Sequence, residues 1–346
     1  MKICVIGAGW FGCHIASQLL DDGYDVQIFE KESNIFANAS GNNQNRLHKG
    51  FHYPRSKKTI KMSKNGFSLF EKKYPFLTKK IKNNFYSISK LKTTKLNFQK
   101  YCEKLKKSEL KFKKIYNNNI LNDLRLYEGV IKVDEKLILV DESIKYFKKK
   151  LKSKIRFNCR IDNICKKEGK FEINNKKFDR VINCSGINLN FHKIKNIKYE
   201  YCVIFVYKKI NHKKDLSLTI MDGPFFTLYP WNNKNEYGLY SVKHSRLLNC
   251  KNLTNLEKKI KFQISKKFLK LKRTIVEKEF KEYYVNFNKN FKFQKNLLSI
   301  RVIQENKSDS RICKVYDDKG VITVFPGKID HIFYAYQKVK NCLKRF

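Results

Sequence analysis

No run of about 18 apolar residues, the length a membrane-spanning helix requires, occurs in this 346-residue chain. The first residues are strand-like, broken by glycines and followed by acids. That is not the layout of a secretory signal, so a cytoplasmic protein is the expectation. The ten cysteines include no CxxC pair, and the histidines do not cluster. Zinc sites usually show both signs, so no metal is expected and the cysteines read as small buried thiols of a reducing compartment. Arginine is scarce: of 75 basic residues only 11 are Arg. The segment 57–114 holds 19 Lys and no Arg. Arg is the side chain best suited to bidentate phosphate and base recognition, so a nucleic-acid partner is not expected.

Against these absences stands a formal charge of +44. Its distribution is uneven. Residues 1–35 carry two Lys against five acids, a net of −3, whereas 57–114 carry 19 Lys against three acids, a net of +16. Lys, Asn, Ile, Phe and Tyr are all abundant, as in drift toward AT-rich coding. The basic segment would also attract an anionic substrate, a nucleic acid or a membrane surface. Aromatics at 14% and hydrophobic residues at 42% describe a globular chain. Its length allows one compact domain or two intertwined ones.

Hydrophobic patterning divides the first 35 residues into strand (3–6), glycine turn, helix (11–22, with Ile15, Leu19 and Leu20 on its apolar face) and strand (26–29), with Gly23 ending the helix. Residues 36–56 are loop-like, and 60–115 read as mostly helical. An amphipathic helix is expected at 140–151. Strands follow at 155–157, 171–173, 181–186, 199–207, 217–229 and 237–243, then a helix at 255–272. A strand at 321–325, a turn at Pro326–Gly327 and a helix from about Asp330 close the chain. No internal repeat is present.

Gly7, Gly9 and Gly12 form GxGxxG directly after a strand and at the start of a helix, enclosing Trp10 and Phe11. Gly7 permits the tight turn, Gly9 admits a diphosphate to the backbone, and Gly12 lets helix and strand pack closely. The helix N-terminus offers free N–H groups and partial positive charge to that diphosphate. Glu30, followed by Lys31, closes the second strand where a carboxylate accepts the adenosine ribose hydroxyls. The motif specifies a dinucleotide without separating FAD from NAD.

The N-terminal motif, the loop SGNNQNRLHKGFHYPRS, the strand end VINCSG and the terminal VFPGKIDHIF together resemble the D-amino-acid-oxidase-like FAD-dependent oxidoreductases. That superfamily includes glycine oxidase, sarcosine oxidase and L-2-hydroxyglutarate dehydrogenase. The pieces occur in the family's order and span nearly the whole chain. The resemblance implies FAD as cofactor. It places Ser40, Gly41, Asn42 and Asn43 near the diphosphate and ring system, and Ser185 and Gly186 beside the diphosphate. Gly327, Lys328 and Ile329 would face the flavin pyrimidine, where negative charge develops on reduction. The loop is similar to the hydroxyglutarate dehydrogenase version, with a His-x-Gly-x-Tyr-Tyr core. Here His48-Lys49-Gly50-Phe51-His52-Tyr53 puts His52 at the first tyrosine, and Asn45 stands where that group tends to have glycine.

The implied fold is α/β: a Rossmann-type FAD-binding domain (1–75, 130–195 and 296–346) intertwined with an antiparallel-sheet substrate domain (76–129 and 196–295). The implied reaction is removal of a hydride from a C–N or C–O bond of a small or sugar-linked anionic substrate. The electron acceptor, oxygen or another carrier, stays open. His52 and His48 are the acid/base candidates, with His244 third. Arg301 is the expected carboxylate clamp, with Arg311 and Arg46 as rivals. Tyr229 and Trp231 are expected to line the pocket from the substrate sheet. A structural hydrogen bond is the competing role for each histidine, a surface or structural ion pair for each arginine, and core packing for the two aromatics. A soluble NAD-dependent dehydrogenase and a basic flavoprotein acting on nucleic acid are the other readings; steep salt dependence would mark the latter.

Overall fold

The computed structural model describes residues 1–91, 93–116, 121, 126–186, 194–211, 215–232, 234–305 and 310–345. Two sheets carry the architecture. The first is built from the strand order Lys314–Asp318, Val321–Phe325, Arg180–Asn183, Lys2–Ile6, Asp25–Phe29 and Ile155–Arg156. Its neighbours run parallel except the first pair. Strand Lys2–Ile6 lies at its centre because Ile3, Cys4 and Val5 are fully buried, as a strand covered on both faces requires.

Helix Trp10–Asp21 packs against this sheet through Cys13, Ile15, Ala16 and Leu19. It ends as the sequence predicts: Gly23 takes φ +87° and its N–H reaches the Leu20 carbonyl (3.1 Å), while Tyr24 N–H reaches Leu19 (3.0 Å). The terminal helix Ile332–Leu343 follows a short 3-10 turn at Ile329–His331 and lies beside it, with Phe333 4.5 Å from the His14 ring. Helix Lys57–Lys73 is started by Ser56, whose hydroxyl accepts from Thr59 N–H, and comes close to the turn at Asp330 through Gly66.

The second sheet runs Arg246–Cys250, Ile197–Lys209, Glu236–Ser241, Phe226–Pro230, Ser217–Met221, Asn84–Ser89, Tyr127–Val133, Phe112–Ile115, with Phe291–Gln304 also pairing to Ile197–Lys209. Ser217–Met221 and Asn84–Ser89 are parallel; the other pairs are antiparallel. Helix Lys266–Lys281 contributes Leu269, Val276 and Phe280 to its core. The small sheet Arg46–Leu47, Lys136–Ile138 and Thr78–Lys80 carries the loop at 40–56.

Three expectations are corrected. Residues 60–115 are not mostly helical: helices Lys57–Lys73 and Phe98–Lys107 alternate with strands Thr78–Lys80, Asn84–Ser89 and Phe112–Ile115. All six residues of Asn84–Ser89 are buried, so the polar/apolar alternation that would reveal a strand is absent. The helix expected at 255–272 is two, Leu253–Gln263 and Lys266–Lys281, because Ser265 accepts from Phe268 N–H and restarts it. The segment 217–229 is likewise two strands, Ser217–Met221 and Phe226–Pro230. Part of the expected cofactor-domain segment 130–195, residues 187–193, lies outside the described residues.

Candidate active site

One elongated cavity of about 550 Å³ runs from the glycine turn to the histidines of the loop. At its first end Gly7 takes φ +96° and donates to the Phe29 carbonyl (2.8 Å). A Cβ on Gly7 would stand 2.9 Å from the Cys184 carbonyl oxygen, so the turn and the later strand end are pressed together. A Cβ on Gly12 would stand 1.9 Å from the Gly7 carbonyl oxygen; this glycine sits off the cavity wall and permits the close packing behind it. Glu30 accepts from Ala8 N–H (2.6 Å) and Glu32 N–H (3.0 Å). Each carboxylate oxygen keeps a lone pair for a ribose hydroxyl.

The loop residues are fastened before any ligand arrives. Ser40 Oγ accepts from Trp10 N–H (3.0 Å). Asn42 donates to the Leu298 carbonyl (2.9 Å), and Asn43 donates to Ser40 (3.1 Å) while accepting from Asn45 N–H (2.6 Å). Gly9, Trp10, Phe11, Lys31, Ser40, Asn42, Asn43, Ser185, Gly186, Gly327, Lys328 and Ile329 all border the cavity, so the structure brings these sequence candidates together. Gly41 does not border it; its missing side chain leaves room for the Phe36 carbonyl. The Trp10 ring is core, between Phe36, Phe70 and Phe147.

The far end is different. Gln44, Asn45, Arg46 and His48 border the cavity, and each has buried polar atoms with no partner among the described residues: Gln44 Nε2, both amide atoms of Asn45, Arg46 Nε and both ring nitrogens of His48. Each such atom costs about 1–3 kcal/mol unless a ligand or water meets it. A ring edge that alternates donors and acceptors, as a flavin pyrimidine does, is what the Gln44 and Asn45 amides of this set would satisfy. Together with the ribose-ready Glu30 and the glycine turn, the residues fit an FAD lying along the cavity. Lys328 adds positive charge at this end. Its ammonium is 5.3 Å from the Tyr53 ring, and with Arg311 it outweighs burial and holds the Tyr53 phenol below its ordinary pKa.

The two loop histidines separate. His48 is 3% exposed and 6.2 Å ring to ring from His52. Burial first, then Lys328 and Arg46, push its pKa well below the imidazole range, so it is neutral with a lone pair to offer. His52 also borders the cavity, but both nitrogens are taken: Nδ1 by Tyr86 Oη (2.8 Å) and Nε2 by Arg46 (3.3 Å). A proton added at Nε2 would face the Arg46 guanidinium. Of the two expected bases, His52 is thus engaged at both ring nitrogens, whereas neither His48 nitrogen has a partner among the described residues.

Arg301 lies within strand Phe291–Gln304 rather than at its end, directly opposite Glu200. It donates to Glu200 Oε2 (2.8 Å) and Tyr240 Oη (3.1 Å), so its fork is engaged although it borders the cavity. Arg46 is more deeply committed, to Thr219 (3.0 Å), His52, Tyr86 and Glu135 (3.3 Å). Arg311 borders the cavity, and no carboxylate among the described residues forms an ion pair with it. Tyr229 and Trp231 are off the wall: Tyr229 lies under Arg46 with its ring 4.2 Å away, and Trp231 is core. His244 pairs with Glu279 (2.8 Å), also off the cavity. Sequence reading missed Tyr86, Glu135 and Thr219, because no local motif marks residues that meet the loop only in the folded chain. Among the described residues no three His, Cys, Asp or Glu gather as a metal site, and no helix is long and apolar enough to cross a membrane.

Residues 2–76 match the model of the FAD dependent oxidoreductase family. The chain is 28% identical to the FAD-dependent monooxygenase FPY4 of Fusarium mangiferae over 342 residues, 98% of this chain and 90% of that protein. It is 25% identical over 375 residues to the FAD-dependent monooxygenase kojA of Aspergillus flavus, covering 98% and 85%. Among solved structures, glycine oxidase from Geobacillus kaustophilus superposes with a TM-score of 0.75 at 10% identity, over 99% of this chain and 95% of that one. L-alpha-glycerophosphate oxidase from Mycoplasma pneumoniae does so with a TM-score of 0.77 at 15% identity, over 99% and 94%. These superpositions establish the shared fold.

Proposed function

We propose, from the premise that this chain is an FAD-dependent oxidoreductase of the D-amino-acid-oxidase-like superfamily, that it removes a hydride from a C–N or C–O bond of a small anionic substrate, with His48 taking the heteroatom proton. The observation that carries this is the far end of the cavity, where a buried neutral imidazole, neither of whose nitrogens has a partner among the described residues, shares the cavity wall with Lys328, Arg311 and Arg46. When bound, FAD supplies the two-electron acceptor. The chain supplies the rest. Glu30 and the glycine turn hold the adenosine and diphosphate. Lys328 and Arg311 draw in an anion, and the unpartnered amides of Gln44 and Asn45 hold a polar ring edge. As C–H electrons leave, the substrate N–H or O–H proton passes to His48 and a C=N or C=O bond forms. Arg301, tied to Glu200, borders the substrate space as a secondary contact.

In this reading the sheet around Lys2–Ile6 is the cofactor domain (1–75, 130–195 and 296–346) and the larger sheet the substrate domain (76–129 and 196–295). Strands Tyr127–Val133 and Phe291–Gln304 cross those boundaries and join the two.

A test is to purify the yellow protein, confirm that denaturation releases FAD, and screen amino and hydroxy acids for anaerobic bleaching of the flavin. Release of FMN, or a colourless protein that FAD cannot reconstitute, overturns the cofactor. Bleaching by substrates at an undiminished rate in His48→Ala overturns the proton acceptor. The names of the fungal relatives favour a second reading, in which reduced flavin serves oxygen insertion into the product. Isotopic dioxygen separates the two: label appears in the organic product only under the second.

A further inference from the structure

A buried polar cluster lies behind the cavity and joins three parts of the fold. Arg46 comes from the loop, Glu135 from the turn between two strands, and Tyr86 and Thr219 from the larger sheet; all four are buried. Arg46 donates through one terminal nitrogen to Thr219 and His52 and through the other to Tyr86 and Glu135. Glu135 also accepts from Lys49 N–H (2.9 Å) and from Tyr86 Oη–H (2.8 Å).

A count of protons decides the state of His52. A phenol has one proton and two lone pairs. A carboxylate paired with a guanidinium has no proton to give, so the 2.8 Å contact between Tyr86 and Glu135 takes the phenol proton. Both Tyr86 lone pairs then accept, one from Arg46 and one from His52 at 2.8 Å. His52 must therefore carry its proton on Nδ1. Its Nε2 must be the acceptor, because Arg46 has only protons to offer there. Burial and the adjacent Arg46 charge both disfavour a second proton on the ring.

We propose that Tyr86 and Glu135 are positioning residues that, with Arg46, lock His52 as the neutral Nδ1-protonated tautomer and so leave His48 as the one histidine of the loop free to accept a proton. The lock itself follows from the cluster; its consequence for proton transfer rests on the function proposed above. Glu135 acts two bonds removed from the cavity: it claims the Tyr86 proton, and that choice sets the imidazole.

The test uses the FAD-loaded protein labelled with ¹⁵N in histidine, the His52 signals being assigned by their loss in His52→Asn. The expected spectrum shows a single His52 tautomer, protonated at Nδ1, unchanged between about pH 6 and 8, a range in which a free imidazole would titrate. An Nε2-protonated ring, a mixture, or titration in that range overturns the lock, and the wild-type spectrum decides this even where a variant fails to fold. In Tyr86→Phe the Nδ1 proton loses its acceptor, and in Glu135→Gln the phenol proton is freed to turn toward Nδ1. Both should replace the single tautomer by a mixture; an unchanged spectrum in folded Tyr86→Phe also overturns the lock. Anaerobic flavin reduction supplies the second readout. It should slow at least tenfold in His48→Gln. In Tyr86→Phe its pH profile should gain an ionisation that the wild type lacks. A correct tautomer with normal reduction in His48→Gln leaves the lock standing and removes the proton-acceptor reading.

Discussion

The two ends of the cavity solve opposite problems. At the glycine turn, the protein satisfies its own polar groups: Glu30, Ser40, Asn42 and Asn43 are all hydrogen-bonded within the chain. At the loop end, four neighbouring residues, Gln44, Asn45, Arg46 and His48, bury six polar atoms without partners among the described residues. A binding turn that recognises a fixed cofactor fragment gains from being rigid in advance. A reacting end must leave donors and acceptors uncommitted, because their partners are the ring and the substrate. Even there the division is sharp: His52, locked, stands about one ring's reach from His48, which is free.

The comparison is broken most severely at the rigid end. Gly12→Val places a side chain against the Gly7 carbonyl, where even a Cβ would lie at 1.9 Å, so the turn must open. We expect FAD to be lost on gel filtration and the melting temperature to fall; a yellow, normally melting variant would show that the turn tolerates displacement. At the free end, His48→Ala should slow anaerobic reduction by roughly 10²–10⁴-fold. It should cost the fold little, since no other side chain among the described residues is hydrogen-bonded to the imidazole. Large destabilisation with unchanged reduction would reverse the roles assigned to the two ends.

Stability against pH sharpens the contrast further. His14 and His331 are pushed down to about 3 by burial and then lysine charge, and His48 and His52 are lowered as well. Unfolded, each takes a proton below 6.5 and the folded form does not, so stability falls as pH drops from there, by about 1.4 kcal/mol per unit for each proton. Asp330 has the opposite sign. Burial raises it to about 7 from 3.8, so its contribution is present at low pH and is lost as pH rises through 7. Four histidines outweigh one carboxyl, and denaturant midpoints should fall between pH 6.5 and about 5. His14→Gln should flatten that slope by one proton; an equal slope would mean that His14 titrates normally in the fold.

The smallest expected effect is at the ribose. Glu30→Ala removes a carboxylate that also holds Ala8 N–H, and FAD affinity should weaken by roughly 1–3 kcal/mol. Titration of the FAD-free protein measures it. An unchanged dissociation constant would take Glu30 out of the site and leave its role as a fastener of the turn.

How much of this was legible in the chain differs by residue. GxGxxG, Glu30 and the Gly23 helix stop could be read because their partners lie within about a helix and two strands of sequence, at fixed spacing. The loop at 40–56 could be located by resemblance, but the ranking of its histidines could not. His52 differs from His48 through Tyr86, 34 residues onward, and through an arginine whose own partners are Glu135 and Thr219, 89 and 173 residues away from it. Arg301 reads as a clamp in sequence, yet its strand register sets it opposite Glu200. Local spacing along the chain determined the dinucleotide turn, because backbone geometry is a short-range property. Which nitrogen holds a proton, and which cation is left for a substrate, only the tertiary structure decided, because hydrogen-bond saturation counts every neighbour in space wherever it falls in the sequence.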